Sequence, residues 1–118
     1  MAEFLQDRVT EGSAWGVIVT LTDETGARIT PKTLKWTLST PAGAVVNNRL
    51  NVDEPAPGET TTIGLLGTDT EIGAGEMVAD GVARRVLTLE ATYDSATLGN
   101  DVPAKKEYWF EVEKLIKQ

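Results

Sequence analysis

The feature that most constrains this chain is a two-residue alternation of apolar and polar side chains, which recurs in several short segments. Successive side chains of a β-strand point to opposite faces of a sheet, so this alternation predicts strands with one buried face. The clearest example runs from Arg85 to Tyr93, where every second residue from Leu87 onwards is apolar or aromatic. We expect this segment to be a central strand of an all-β fold.

Further segments show the same period. From Ala14 to Thr22 the apolar face carries Trp15, Val17, Val19 and Leu21, and a second segment places Leu34, Trp36 and Leu38 on one face, with Trp36 as the expected centre of the core. Strands are also predicted over residues 44–48, 60–66 and 107–115, with Ile63, Leu65, Tyr108, Phe110 and Val112 turned inward. We expect residues 44–48 to pair back on the Trp36 strand, and the last two strands to form a hairpin.

Glycine, proline and short polar residues separate these strands. Turns are predicted at Asp23–Gly26 and Thr40–Gly43, and residues 53–59 are predicted to be a loop because two prolines remove backbone donors. Residues 94–103 are expected to connect the last two strands. Residues 67–83 contain four glycines and show no clean period, so they predict a long loop, with a short helical turn after Thr68-Asp69-Thr70-Glu71 as the main alternative.

Short strands with almost no helical period favour an antiparallel β-sandwich of about seven strands, with an immunoglobulin-like or fibronectin-like architecture and long loops. The length of 118 residues suits one domain, which we place at residues 13–118 after an N-terminal arm of residues 1–12. In this sandwich Trp36 and Tyr93 are expected on the inner faces of opposing sheets.

Composition excludes many functional classes. The chain has no His and no Cys, which removes Ser-His and Cys-His nucleophiles, the usual zinc ligands and disulfides. A net charge of −7 opposes binding to nucleic acid. Gly73 and Gly75 begin a dinucleotide-like pattern, but its third glycine is missing. No stretch has the length of an apolar membrane span, and the N-terminus lacks a signal-peptide pattern. We therefore expect no enzymatic activity, no cofactor, no nucleic acid and no membrane partner.

Carboxylates cluster in the predicted loops, where oxygen ligands can gather around calcium. None of these clusters has EF-hand spacing, so a solvated acidic rim is the preferred interpretation and we expect no metal, with a structural calcium ion as the alternative. The residues concerned are Asp23, Glu24, Asp53, Glu54, Asp69, Glu71, Asp94 and Asp101.

With these sites set aside, the remaining functional candidates are surfaces that contact other proteins. The first twelve residues show no steady period and their charges prevent an obvious strand, so the segment is either frayed or an arm that lies on an adjacent subunit. Trp109 looks solvent-facing by alternation, and such an aromatic either stacks on sugars or packs under the arm or a neighbouring chain. The loops 67–83 and 94–103 are further contact candidates. The candidate contact residues are Phe4, Leu5, Val9, Trp15, Met77, Val78, Asn100 and Trp109.

Several strand-and-turn patterns together resemble a known group of proteins. They are Ser13-Ala14-Trp15-Gly16, Thr22-Asp23-Glu24, Pro31, the segment 34–38, the segment 43–47, Arg49, the segment 85–95, the segment 98–103, Glu107, Phe110 and Val112. From about Ser13 to Leu115 the chain resembles small bacteriophage and prophage proteins that look like virion structural components with an immunoglobulin-like β-sandwich. The Gly-rich residues 67–83 are longer than that pattern suggests.

The resemblance implies a non-enzymatic structural protein of a phage or prophage particle, in its head, neck or tail. Such a protein would be made in the bacterial cytoplasm, reside in the virion and act through contacts with other virion proteins or copies of itself, oligomeric once assembled. A net charge of −7 would keep free subunits apart before assembly. The alternative is an immunoglobulin-like adhesion or carbohydrate-binding module.

Overall fold

The computed structural model describes residues 2–72 and 82–114, and those residues form seven strands and no helix. Five strands form one sheet in the order β1-β7-β6-β3-β4, and β2 pairs with β5 in a second sheet. Neighbouring strands are antiparallel except β1 and β7, which are parallel. The predicted all-β class is therefore confirmed. The strands are β1 (Ala2–Thr10), β2 (Trp15–Val19), β3 (Thr33–Ser39), β4 (Val52–Asp53), β5 (Thr61–Leu65), β6 (Val82–Ser95) and β7 (Gly99–Glu113).

The two sheets share one apolar core, and the predicted alternation places its members correctly. Trp36 is 4% exposed, as expected for a core residue, and Leu38, Leu87 and Leu89 are fully buried. Strand β6 lies between β3 and β7, which confirms its predicted central position. The two-stranded sheet contributes Val17, Val19, Ile63 and Leu65 to the same core.

The first difference from the sequence prediction is β1. Residues 2–10 form an edge strand that runs parallel to β7, with Val9 opposite Val112. The charges of this segment obscured the strand, yet an edge strand tolerates them because part of its surface faces water. In the part of the chain that the structure describes, no helix is long and apolar enough to cross a membrane.

Residues 44–48 do not form the predicted strand. They make one isolated bridge, between Ser39 and Val45, and the backbone then turns left-handed at Asn47 and Asn48, with φ of 53° and 57°. Asparagine adopts this conformation more readily than most residues, but it is incompatible with an extended strand. Residues 44–48 still bond to the β3 end, where the Val46 N–H donates to the Leu38 carbonyl at 2.9 Å. The strand that pairs with β3 on this side is β4, and of its two residues Asp53 lies in the predicted loop.

The predicted connection 94–103 is also too long, because β7 already begins at Gly99. Pro103 lies within β7 opposite Thr92, whose carbonyl accepts a hydrogen bond from the Lys32 backbone N–H on the β3 side. The polar backbone groups of Thr92 therefore face β3, and the nitrogen of Pro103 faces away from β6. An open edge is the place in a sheet where a missing N–H costs least.

Trp36 and Tyr93 do not lie on opposing sheets as predicted. Trp36 is on β3 and Tyr93 is on β6, and these strands are neighbours in the five-stranded sheet. Alternation identifies the buried face of each strand but does not say which strands share a sheet, so this assignment needed the three-dimensional structure.

In the described part of the predicted loop 67–83, residues 67–70 form a turn and not a helix, and Val82 already begins β6. Residues 73–81 lie outside the described residues.

Candidate contact surface

The apolar residues of the N-terminal segment lie on β1, which pairs with β7 of the same chain. Val9 is only 5% exposed and belongs to the core, so it is not available to a partner as the sequence analysis expected. Leu5 is half-buried and packs against the same core. The backbone of Phe4 lies opposite Trp109, while the Phe4 side chain is outside the described part of the structure.

The two tryptophans proposed for the surface differ in environment. Trp15 is half-buried, with its ring edge-to-face on Phe110 at a centroid distance of 5.1 Å, so it packs on the core instead of standing free. Trp109 is half-buried on the outer face of the large sheet, beside β1, and its Nε1 donates to Glu107 Oε1 at 3.2 Å. Of the two, only Trp109 lies on an outer sheet face.

The remaining candidates are in loops or near turns. Asn100 is exposed at the start of β7, next to the turn of the long β6–β7 hairpin. Exposed Leu98, at 57%, lies in that turn. Met77 and Val78 fall in residues 73–81, outside the described residues.

The outer face of the large sheet carries a row of alternating charges. Asp53 on β4 is opposite Lys35 on β3, Lys35 is opposite Glu90 on β6, and Glu90 is opposite Lys105 on β7. All four side chains are exposed. Opposite charges on directly paired residues of one face attract each other, so this row neutralises itself across four strands.

A second charged row lies further along the same face. Glu111 on β7 is flanked by Arg84 on β6 and Arg8 on β1. Arg8 Nε lies 2.9 Å and Arg84 Nε 3.8 Å from the Glu111 carboxylate oxygens. The Glu111 hydrogen bond raises the pKa of Arg8 further above its usual value. Two such rows of paired opposite charges make this face polar, as is typical of a solvated surface.

The outer face of the two-stranded sheet differs from this charged face, because it carries no charged residue. Neither β2 (WGVIV) nor β5 (TTIGL) contains a charged residue. On its outer face Gly16 lies opposite Gly64, and Ile18, 65% exposed, lies opposite Thr62. Leu66 follows β5 and is 56% exposed. We call the residues Gly16, Ile18, Thr62, Gly64 and Leu66 the neutral face.

Three carboxylates of the predicted acidic rim, Glu24, Asp94 and Asp101, bond to polar groups that tie the hairpin end to the β2–β3 connection. The Glu24 carboxylate accepts hydrogen bonds from the hydroxyls of Tyr93 and Ser95, each at 2.8 Å. The Tyr93 bond is the main cause of a pKa of Glu24 below its usual value. Lys32 Nζ bridges Asp94 at 3.1 Å and Asp101 at 2.7 Å. These contacts hold the turn of the hairpin in place.

A groove of about 340 Å³ lies between the β2–β3 connection and β7. Leu21, Tyr93, Leu98 and Val102 give it apolar walls, and Lys106 lies at its edge. Lys106 Nζ already donates to the Thr20 carbonyl at 3.3 Å. Much of the polar chemistry around the groove is thus used within the chain, and the groove has little left with which to orient a small ligand.

A second cluster surrounds Asp69, which was predicted to lie in the solvated acidic rim but is buried. Asp69 is 0% exposed, and its carboxylate accepts hydrogen bonds from Arg49 Nε and Asn47 Nδ2, both at 2.7 Å, and from the Leu66 N–H at 2.7 Å. Burial alone would raise the pKa of Asp69, but these bonds outweigh it and the pKa lies below its usual value. The Arg49 guanidinium also lies 5.9 Å from the centre of the Trp36 ring. We call Asn47, Arg49 and Asp69 the loop clamp.

Sequence analysis could not find the loop clamp, because Asp69 is twenty or more positions from its two partners and none of the three forms a motif. Its role is structural, since it joins the irregular segment after β3 to the turn after β5. Among residues 2–72 and 82–114, no three carboxylates come close enough together to hold a metal ion.

No family model, no curated protein and no solved structure matches the chain.

Proposed function

We propose that this protein is a non-enzymatic structural subunit of a phage or prophage particle, which acts through contacts with other particle proteins or with copies of itself. The observation that carries the contact function is the neutral face, where Ile18 is 65% and Leu66 is 56% exposed on a sheet without charged residues. The assignment to a viral particle is supported by the resemblance described above.

The distribution of charge supports assembly through this face. The chain carries a net charge of −7, so two copies repel each other wherever their acidic surfaces meet. The neutral face lets a neighbour approach without bringing carboxylates together. Gly64 has open space around its Cβ position, so the surface is flat there and allows close approach of a second surface.

We also propose that the two sheets form an immunoglobulin-like sandwich. In such a fold strands C, F and G share one sheet and strands B and E the other. The order β3-β6-β7 and the pair β2-β5 fit this arrangement when β2 is B and β3 is C. Buried Trp36 on β3 then occupies the strand that carries the characteristic core tryptophan. Apolar side chains replace the usual disulfide, because the chain has no cysteine.

The carbohydrate-binding alternative has weaker support. A sugar platform requires aromatic rings that stand free on a sheet face. Trp36 is buried and Trp15 packs on Phe110, which leaves Trp109 as the one tryptophan of three on an outer face. Glycan binding by an isolated, strictly monomeric chain would favour this alternative.

The first test asks whether the protein is present in phage or prophage particles. Mass spectrometry of particles purified from the source is expected to find this chain in a fixed ratio to the other structural proteins. Light scattering on the isolated chain measures whether copies associate. Absence from the particles would contradict the viral proposal, whatever the isolated chain does.

The second test addresses the neutral face. Ile18→Glu is expected to reduce incorporation of the chain into particles, because it places a carboxylate on the contact surface. Leu50→Glu is the matched control, since Leu50 is 59% exposed in the connection between β3 and β4 of the other sheet and the variant has the same added charge. Equal incorporation of both variants, with unchanged melting temperatures, would show that the neutral face is not the contact surface.

A further inference from the structure

We infer that β1 is exchanged between copies: the β7 edge formed by Glu107–Glu113 is a binding surface, and its partner is β1 of a second copy of this chain. This inference deepens the proposed function and rests on it, because it names a partner and a mode of contact for an assembling subunit.

Within the described residues β1 pairs with one strand, β7, and their parallel ladder is interrupted. Residues 2–4 pair with 107–109 and residues 8–10 pair with 111–113, with a register shift between Phe4 and Arg8. Parallel pairing is somewhat weaker per residue than antiparallel pairing, and an interrupted ladder separates more easily than a continuous one.

The described side chains of β1 make contacts that the β7 edge of a second copy would receive on exchange. Val9 is inserted into the core, Leu5 packs against it, and Arg8 bonds Glu111 at 2.9 Å and lies 3.5 Å from Glu113. The acceptor edge is thus acidic where the donor strand is basic. Between two chains of net charge −7 this local complementarity favours the β1–β7 contact over other approaches.

The connection between β1 and β2 can act as a hinge. It is a short turn, closed by a Ser13 N–H bond to the Thr10 carbonyl at 3.1 Å, with Gly12 at a φ of 77°. Thr70 holds it through two contacts, with the Gly12 N–H at 3.4 Å and the Ser13 carbonyl at 2.8 Å. The Glu11 N–H also bonds the Glu113 carbonyl of β7 at 2.8 Å, a bond that strand exchange would keep between copies. A short turn that carries the chain from one sheet to the other is a suitable hinge for strand exchange.

The rest of the β7 edge is less suitable for strand addition, which directs the exchange to residues 107–113. At this end of the strand the backbone nitrogens of Pro103 and Lys105 face the open edge. Pro103 has no N–H, and the nearby Asp101 N–H is used within the chain, since it bonds Asp94 Oδ1 of β6 at 3.2 Å. Proline and lysine at an open edge are devices that discourage pairing.

Exchange preserves the β1–β7 contacts, so its free energy differs from that of the closed chain mainly by the hinge and the loss of free motion on association. The cost of that lost motion falls as the concentration of copies rises. Exchange is therefore favoured where copies are concentrated, as in an assembling particle. If each copy passes β1 to the next, the contact is heterologous and builds a ring or a filament; reciprocal exchange builds a dimer.

The experiment uses engineered cysteines in this cysteine-free chain. Thr10 and Glu113 are paired residues of β1 and β7 and are accessible enough to react. Thr10→Cys chains and Glu113→Cys chains are mixed at high concentration, unfolded, refolded together and oxidised. We expect disulfide-linked heterodimers well above a control mixture of Thr10→Cys with Asp53→Cys, whose thiol lies on β4 at the other end of the sheet. Equal yields in the two mixtures would overturn the exchange.

The double variant Thr10→Cys/Glu113→Cys provides the second readout. Oxidised at low concentration, it locks β1 to its own β7, and it should remain at the single-chain mass of 12.7 kDa while the reduced form associates like the unmodified chain. If the locked chain still assembles, exchange is wrong but the proposed function stands through other contacts. A locked and a reduced chain that both stay single, together with absence from purified particles, would contradict the proposed function as well.

Discussion

Replacing Trp36 with alanine is expected to lower the free energy of unfolding by about 3–5 kcal/mol, the usual cost of removing a large buried aromatic side chain. Trp36 is 4% exposed and lies at the centre of β3, with Leu89 and Val52 as its neighbours on the flanking strands. The cavity left between the sheets cannot close without moving both of those strands. In a domain of this size the melting temperature should fall by about 10–20 °C.

Trp109→Ala is the matched control, because it removes the same side chain from a half-buried position on the outer face. We expect less than half the loss seen for Trp36→Ala. Urea denaturation and thermal melts followed by circular dichroism measure both. A shift of only a degree or two for Trp36→Ala, or equal losses for the two variants, would contradict the placement of Trp36 in the core.

The buried faces of the strands were predicted correctly where the alternation of apolar and polar residues is strong. In β3 and β6 the residues Leu34, Trp36, Leu87 and Leu89 repeat every second position and are all buried. Local periodicity is enough for such strands, because one face of each must leave water. The same reasoning placed Val17 and Ile63 correctly in the smaller sheet.

Two of the errors come from strand pairing between residues that are far apart along the chain. Strand β1 pairs with β7 about a hundred positions away, and nothing in its own sequence indicates that partner. Assigning Trp36 and Tyr93 to opposing sheets failed for the same reason. Local chemistry alone explains the lost strand at 44–48, where Asn47 and Asn48 take positive φ, and this signal was available in the sequence.

The candidate site was less accessible to sequence reasoning than the fold. The exposure of Ile18 follows from its alternation with Val17 and Val19, but the absence of charge on the face emerges only when β5 is known to pair with β2. Val9 looked like a surface residue because its strand was not recognised. Contact surfaces are set by which strands become neighbours, and single-strand patterns do not contain that information.

The second large effect is expected at the loop clamp. Asp69→Asn should lower the free energy of unfolding at neutral pH by about 3 kcal/mol, the low end of the range for breaking a buried ion pair. The low end applies because the Arg49 side chain is 28% exposed and can still reach water, whereas Asp69 is fully buried. The substituted side chain would also present an amide N–H₂ towards the donors of Arg49 and Asn47.

The pH dependence separates this role from simple packing. Because the pKa of Asp69 is lower in the folded chain than in the unfolded one, its contribution is fully present above the unfolded pKa of about 3.9 and is lost as pH falls through the folded value. The difference in stability between the natural chain and Asp69→Asn should therefore be largest near pH 7 and shrink below pH 4. Other carboxylates also titrate there, so the difference between the two chains is the quantity to follow.

Asp53→Asn is the matched control, since it makes the same chemical change on an exposed carboxylate of β4. It should change the free energy of unfolding by less than about 0.5 kcal/mol, as is usual for surface positions. A double-mutant cycle with Arg49→Met then measures the coupling between Arg49 and Asp69, which should exceed about 1 kcal/mol for a hydrogen-bonded pair with one buried partner, with about 3 kcal/mol as the upper limit. Coupling near zero, or a loss from Asp69→Asn that stays constant from pH 7 to pH 3, would mean that the clamp stabilises the chain through shape alone and not through its charge.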